Sequence, residues 1–197
     1  MPRAGLTEAA VVDEAERLAD DVGLSNLTLA ALAQRLGVRQ PSLYKHIAGM
    51  DALQRRVGIR AKDELASLLG RAAVGRAGGD ALAAMAHAYR DWALRHPGRY
   101  ASAQRAPQAG DVEDETASAH VVQVARDVMA GFDLRDDDAV DAIRALRAAL
   151  HGFVALETGG GFGLPVSIDR SFDRLVAGLE AAFTTWGLGP VSPAPQR

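Results

Sequence analysis

Apolar residues recur along this chain at intervals of three and four positions, and that spacing predicts amphipathic helices. The first apolar stripe consists of Val11, Ala15, Leu18 and Val22. Thr7 precedes the stripe as an N-cap candidate, and Gly23 follows it as the expected end of the helix. A second helix is predicted between Thr28 and Gly37, and a short third helix over Pro41–Ile47. The N-terminal part of the chain is therefore predicted to be built from three helices.

The remainder of the chain continues the helical pattern, with interruptions at glycine and proline. Helices are predicted over 50–73, 82–96, 111–132 and 136–158, and a last one after the glycine-rich loop 159–165, from Ile168 to Phe183. Pro97 and Gly98 are expected to end the helix that precedes them, and 105–110 is expected to be a loop. No stretch alternates apolar and polar residues as a strand does. The predicted fold class is all-α, with about nine helices.

Three glycines between positions 75 and 79 mark the predicted boundary between two domains. The first domain is expected over residues 5–64 and the second over residues 79–187. The last ten residues, 188–197, are rich in proline, and we expect them to form a disordered tail.

The composition is that of an ordinary globular protein, since 48% of the 197 residues are apolar and 24% are charged. The absence of cysteine excludes disulfides and thiolate metal sites. No apolar run is long enough to span a membrane, and the N-terminus lacks the apolar core of a signal peptide. We therefore expect the protein to act in the cytoplasm, without a membrane partner.

The charges are unevenly distributed along the chain, although the net charge is only −3. Residues 33–60 carry six basic side chains against a single acidic one, Asp51, and the segments on either side are acidic. The six basic residues are Arg35, Arg39, Lys45, Arg55, Arg56 and Arg60. Such a basic segment is typical of an element that faces phosphate groups, although a solvated helix face has the same composition.

Residues 28–47 have the pattern of a helix-turn-helix, in which two short helices cross at close range. Ala33 leaves room in the first helix, Gly37 permits a left-handed turn, and Pro41 suits the first position of the second helix. Val38 is expected to fill the turn above a small core of Leu32, Leu36, Leu43 and Ile47.

The outer face of the predicted second helix carries hydrogen-bond donors and acceptors. These residues are Gln40, Ser42, Tyr44, Lys45 and His46. Glutamine pairs with adenine, and tyrosine, lysine and histidine donate to phosphate oxygens, so this face suits the major groove of double-stranded DNA. The alternative is an ordinary helical hairpin that holds alanine, glycine and proline at the same offsets.

The string from Leu36 to Ile47, with the helix before it, resembles the DNA-binding domain of the TetR family of transcription regulators. The resemblance extends over about residues 7–60. It implies that Thr28 contacts a phosphate and that the neighbouring segment contacts bases and backbone. The DNA-contacting residues of that segment are expected to be Arg39, Gln40, Pro41, Ser42, Tyr44, Lys45 and His46. It further implies a homodimer on a palindromic operator, with a C-terminal domain that dimerises and often binds a small molecule.

Two positions depart from the pattern of the family. Many members have a phosphate-contacting lysine at the start of the fourth helix, where this chain has Met50. Some have an arginine near the start of the motif's first helix, where this chain has Ala30 and Ala31. Either fewer phosphate contacts are made, or Arg55 and Arg56 replace the missing ones.

The string Leu150-His-Gly resembles the C-terminal domain of a TetR subgroup named for a Trp-His-Gly motif, with leucine in place of tryptophan. This resemblance implies that the last two helices form a four-helix dimer interface. Its candidate residues are Leu146, Phe153, Val154, Phe172, Leu175, Leu179 and Phe183. For each of them, packing in the core of a single monomer is the alternative.

Several apolar and aromatic residues beyond the first domain are candidate contacts for a small, mostly apolar effector. They are Met85, Tyr89, Trp92, Met129, Phe132 and His151. Ordinary core packing is the alternative for each, and His151 is expected to be a hydrogen-bonded core histidine.

Together these features predict a sequence-specific, DNA-binding transcription regulator that acts as a ligand-responsive repressor and as a homodimer. The alternatives are an all-helical enzyme that binds a small molecule, and an adaptor that binds protein through the basic hairpin. No catalytic arrangement, metal site or cofactor is predicted. The acidic run 136–138 begins a helix, where the dipole favours acids, and the glycines at 159–163 lack the strand and lysine of a phosphate loop.

Overall fold

The computed structural model describes residues 6–187, so the predicted tail at 188–197 lies outside the described residues. The described part contains α-helices and short 3-10 helices and no strand, which confirms the all-α prediction. The α-helices are α1 (Glu8–Val22), α2 (Leu29–Leu36), α3 (Met50–Ala73), α4 (Gly78–Arg95), α5 (Pro97–Ala103), α6 (Val112–Ala130), α7 (Asp136–Thr158) and α8 (Ile168–Gly187). Two 3-10 helices cover Leu24–Asn26 and Gln40–Lys45.

The predicted helix ends agree with the structure wherever a capping residue signals them. The hydroxyl oxygens of Thr7 and Thr28 accept hydrogen bonds from the N–H groups of Ala10 and Ala31, each over 3.1 Å. Gly37 adopts the left-handed conformation that ends α2, with φ of 65° and ψ of 32°. The bounds of α3 and α7 are those predicted from the apolar spacing.

The prediction around Pro97 is incomplete. The helix before Pro97 was expected to end there, but a second helix, which was not predicted, also begins at Pro97. Helix α4 ends at Arg95, and Pro97 occupies the start of α5. Proline favours both events, since it lacks the N–H that would continue α4 and has the φ angle of a first helical residue. The short turn Leu24–Asn26 was also not predicted.

The chain divides into two compact units, and the division differs from the predicted domains. The first unit comprises the chain up to Leu65 together with residues 92–120, and the second comprises 66–91 and the chain from Val121 onward. Residues 92–120 join the first unit because α5 packs directly against α1. A Cβ atom added to Gly98 would lie 2.1 Å from the carbonyl carbon and oxygen of Ala19.

Each unit has its own apolar core. In the first unit, α1, α2 and the start of α3 bury a cluster that includes Val11, Leu32, Leu43 and Leu53. In the second unit, residues from α4, α6, α7 and α8 are buried, among them Met85, Met129, Val154, Phe172 and Phe183. The rings of Phe132 and Phe183 meet edge to face with centroids 6.0 Å apart.

Candidate nucleic-acid interface

The helix-turn-helix predicted from the sequence is present in the first unit. After α2 the chain reverses at Gly37, and the N–H of Val38 donates to the carbonyl of Ala33 over 3.0 Å. Leu32 and Leu43 are fully buried between the two arms, and Ala33 is buried where they approach. Leu36 and Val38 pack against this core while remaining partly exposed. The second arm is thus held from behind by apolar contacts.

The second arm is a 3-10 helix over Gln40–Lys45, and the predicted helix extended from Pro41 to Ile47. Its hydrogen bonds run from the N–H of Ser42 to the carbonyl of Arg39 and from the N–H of His46 to that of Leu43, over 2.9 and 2.8 Å. The 3-10 geometry is typical of such short pieces, because one turn offers few α-type hydrogen bonds. Apolar spacing alone does not distinguish the two helix types.

Most of the predicted DNA-contacting residues lie in or next to this arm, and their exposure varies. The side chain of Tyr44 is prominent, with 56% of its surface exposed. The other exposed members of the set are Thr28, Arg39, Gln40, Pro41 and Lys45. Ser42 and His46 are partly buried. Within this arm, Gln40, Tyr44 and Lys45 are therefore accessible from outside, whereas Thr28 belongs to the start of α2.

Most arginines of the basic segment are neutralised within the first unit. Arg35 forms ion pairs with Glu14 and Asp21 over 2.8 and 2.7 Å, and Arg60 pairs with Asp13 over 2.7 Å. For Glu14, desolvation raises the pKa, but hydrogen bonds from Arg35 and Arg17 outweigh it and leave the pKa below its usual value. These arginines brace α1 against α2 and α3.

Arg55 and Arg56 are also paired, which favours the alternative in which fewer phosphate contacts are made. Arg55 forms two hydrogen bonds of 2.5 Å with the carboxylate of Asp111, and Arg56 reaches Glu113 over 2.6 Å. The hydrogen bonds from Arg55 lower the pKa of Asp111 below its usual value. Met50 is partly buried and packs against the apolar core of the first unit.

Arg39 and Lys45 differ from the other cations of the basic segment. Among residues 6–187, no acidic side chain lies within ion-pair distance of either of them. Both are exposed, and they stand at the two ends of the 3-10 helix. Within the basic segment, the positive charge that remains available for an external anion is therefore concentrated on the second arm of the motif.

The predicted effector contacts do not all lie in one compact unit. Met85, Tyr89, Met129 and Phe132 are buried in the second unit. Trp92 lies in the first unit, where its indole N–H donates to Glu64 over 3.1 Å. His151 is exposed, so the expectation of a core histidine is wrong. On α7 it lies outside the buried stripe that contains Leu146, Leu150 and Val154.

A buried arginine in the second unit was missed by the sequence analysis. Arg90 donates to both carboxylate oxygens of Glu157 over 2.7 and 2.5 Å, and to Asp169 over 2.8 Å. Its guanidinium lies over the ring of Phe172 at 4.9 Å from the centroid. The partners are 67 and 79 residues away in sequence, so no local pattern identifies them.

The candidate dimer residues fall into two groups according to their burial. Leu146, Val154, Phe172 and Phe183 are buried within the protomer, which favours the core-packing alternative for these four. Phe153, Leu175 and Leu179 keep part of their surface accessible. Leu156 and Trp186 were not among the candidates, yet both large side chains are about half exposed, at 52% and 45%.

Both halves of the chain match models of known families. Residues 11–57 match the model of bacterial regulatory proteins of the tetR family, and residues 82–179 match a tetracyclin repressor-like C-terminal domain. The HTH-type transcriptional regulator Rv0681 of Mycobacterium tuberculosis is 37% identical over 189 residues, which cover 93% of this chain and 86% of that protein. The chain belongs to the TetR family.

Other relatives of this TetR-family protein agree with the assignment. The HTH-type transcriptional regulator YobS of Bacillus subtilis is 35% identical over 157 residues, covering 79% of this chain and 81% of that protein. ActR of Streptomyces coelicolor shares the fold, with a TM-score of 0.69 at 20% identity over 96% of this chain and 99% of that one.

These relationships establish a DNA-binding transcription regulator and set aside the enzyme and adaptor alternatives. Within residues 6–187 there is no group of acidic or histidine side chains arranged to hold a metal ion. No helix in the same range has the length and apolar character needed to cross a membrane.

Proposed function

We propose that this TetR-family protein is a ligand-responsive repressor that binds a palindromic operator in double-stranded DNA as a homodimer and acts in the cytoplasm. The observation that carries the proposal is the outer face of the 3-10 helix Gln40–Lys45. It combines the exposed amide of Gln40 and the exposed ring of Tyr44 with two cations, Arg39 and Lys45, that lack an acidic partner among the described residues. Amides read base edges, and cations hold phosphates.

The proposed homodimer rests on the exposed face of α7 and α8. On α8, Leu175, Leu179 and Trp186 lie on one stripe with Gly178, where an added Cβ would meet nothing within 4 Å. On α7, Gly152 is equally open, and the half-exposed Leu156 lies one turn later. Because these glycines have no side chain, the corresponding two helices of a second copy can approach α7 and α8 closely and pack against the neighbouring apolar side chains. A single arm reads few base pairs, and a pair of arms on half-sites about 34–36 Å apart supplies the specificity that one lacks.

The proposed effector is a small, mostly apolar molecule bound in the second unit. Met85, Tyr89, Met129 and Phe132 supply apolar walls there, and one family neighbour, a variant of TetR from Acinetobacter baumannii, has been solved in complex with minocycline. Binding of the effector would favour one spacing between the second arms of the two helix-turn-helix motifs in the dimer. Helix α3 would transmit the change from the effector site to these arms. A coupling of about 1–3 kcal/mol would change operator affinity roughly 5- to 150-fold.

The experiment that tests the proposal is the selection of bound duplexes from a random pool, followed by sequencing. We expect a two-fold symmetric consensus with half-site centres separated by about one helical turn, because two identical arms would contact equivalent bases. A single asymmetric site would contradict the homodimer on DNA, and the absence of any enriched sequence would contradict sequence-specific binding.

A further inference from the structure

A polar cavity lies within the first unit, next to the helix-turn-helix. Its volume is about 330 Å³. It is bounded by the N-terminal half of α3, the end of α5, the loop after α5 and the start of α6. The lining residues without a polar side chain are all small, namely Ala52, Gly58 and Ala106. The volume suits a small molecule, and the lining favours a polar one.

The inner wall of the cavity is made of charges that already satisfy one another. Lys62 is only 4% exposed, and its amino group lies 2.5 Å from the carboxylate of Asp114. Arg55 holds Asp111 through two parallel hydrogen bonds. Removing one member of such a pair would leave an uncompensated charge, so an entering ligand gains little by displacing them. The four charges of this wall are therefore paired with one another.

The lining of the cavity also includes two charged side chains of opposite sign that form no ion pair among the described residues. Arg105 and Asp51 are both exposed, and neither forms an ion pair with any residue in the range 6–187. Arg105 donates a hydrogen bond of 2.7 Å to the amide oxygen of Gln54, which holds the guanidinium against α3. The amide of Gln108 also lines the cavity. One free cation and one free anion therefore border the same space, with two neutral amides beside them.

We propose that this cavity binds a small zwitterion of the size of a free amino acid. The ligand's carboxylate would pair with the guanidinium of Arg105, and its ammonium group with the carboxylate of Asp51. A simple anion suits the site less well, because Asp51, Asp111 and Asp114 surround the same space. A simple cation also suits the site less well, because the positive charges of Arg55, Lys62 and Arg105 line the same space.

The zwitterion site is separate from the apolar effector site proposed above, because all of its lining residues belong to the first unit. It depends neither on DNA binding nor on dimerisation. If no zwitterion binds, the proposed function is therefore unaffected. If the proposed function is wrong, the zwitterion proposal is likewise unaffected.

The test is isothermal titration of the full-length protein with each of the common free amino acids in turn. We expect at least one to bind with a Kd of about 1 mM or below. Arg105→Gln and Asp51→Asn should each weaken that binding at least tenfold, because each removes one charge-assisted contact. Arg144→Gln, on the exposed surface of α7, is the matched control and should bind as the unmodified protein does.

Derivatives of the amino acid that binds separate the two charge contacts. Blocking its amino group by acetylation, or its carboxylate by amidation, should abolish measurable binding. The proposal is overturned if no amino acid binds, if both cavity variants bind with unchanged affinity, or if the blocked forms bind as well as the free one. Thermal unfolding followed by circular dichroism checks that the variants are folded.

Discussion

Gln40 is exposed at the start of the recognition arm, where a glutamine amide is suited to form two hydrogen bonds with an adenine edge. Gln40→Ala should therefore cost about 1–3 kcal/mol in operator binding and relax the preference at one or two base pairs. Fluorescence anisotropy on the selected operator and on its single-base variants measures both effects. Gln123→Ala, on the exposed surface of α6, is the control and should change neither. An unchanged base preference in Gln40→Ala would remove Gln40 from base recognition.

At Gly98, α5 lies directly against the backbone of α1. Gly98→Ala should lower the free energy of unfolding by about 1–3 kcal/mol, because the new Cβ would overlap the backbone of Ala19, which has no flexible end to move aside. Urea denaturation measures the change. Gly163→Ala is the matched control, since a Cβ there meets nothing within 4 Å. Equal midpoints for the two variants would contradict the close packing of α5 on α1.

At the scale of helices, the ends that follow from local chemistry could be predicted from the sequence. Thr7, Thr28 and Gly37 act through hydrogen bonds and backbone angles within a few residues of themselves, so their positions specify α1 and α2. Helix α5 was missed because Pro97 gives the same signal for an end as for a beginning. The sequence also does not distinguish α from 3-10 geometry in the second arm of the helix-turn-helix, because both geometries bury Leu43.

The neutralisation of the basic segment could not be predicted, because its partners are distant in sequence. Arg55 and Asp111 are separated by 56 residues, and Arg56 and Glu113 by 57. Only the fold brings the start of α6 beside α3. The sequence therefore indicated a basic segment correctly, and the structure limits the cations without an acidic partner to Arg39 and Lys45 at its centre.

The contact between Arg55 and Asp111 predicts a dependence of stability on pH. Because hydrogen bonds from Arg55 hold the pKa of Asp111 below its usual value of 3.8, their contribution is fully present above that value. It is lost as the pH falls through the pKa of the folded protein. The loss of stability caused by Arg55→Gln should therefore be constant above about pH 5 and shrink at lower pH. Urea denaturation at a series of pH values measures it, and a difference independent of pH would contradict the pairing.

At the scale of the whole molecule, the exposed stripe of α8 predicts how two copies associate. If the proposed homodimer forms through this stripe, Gly178→Glu should convert it to a monomer at micromolar concentration, because a charged side chain would enter the apolar contact. Light scattering coupled to size-exclusion chromatography measures the mass. Ala130→Glu places the same charge on the exposed end of α6 and should leave the dimer intact. Dissociation by the control alone would locate the interface elsewhere.

The most direct test of DNA recognition by the 3-10 arm is the salt dependence of operator affinity. Each lost phosphate contact should flatten the plot of log K against log salt concentration by about 0.9. In a double Arg39→Gln and Lys45→Gln variant, the slope should become flatter by about 0.9 for each phosphate contact that is lost, with up to two such contacts in each protomer. The reason is that these two cations have no acidic partner among the described residues and can therefore bind phosphates. A double Arg55→Gln and Arg56→Gln variant should keep the slope of the unmodified protein, because its arginines are already paired. The opposite result, a flattened slope in the second variant and an unchanged slope in the first, would contradict the account.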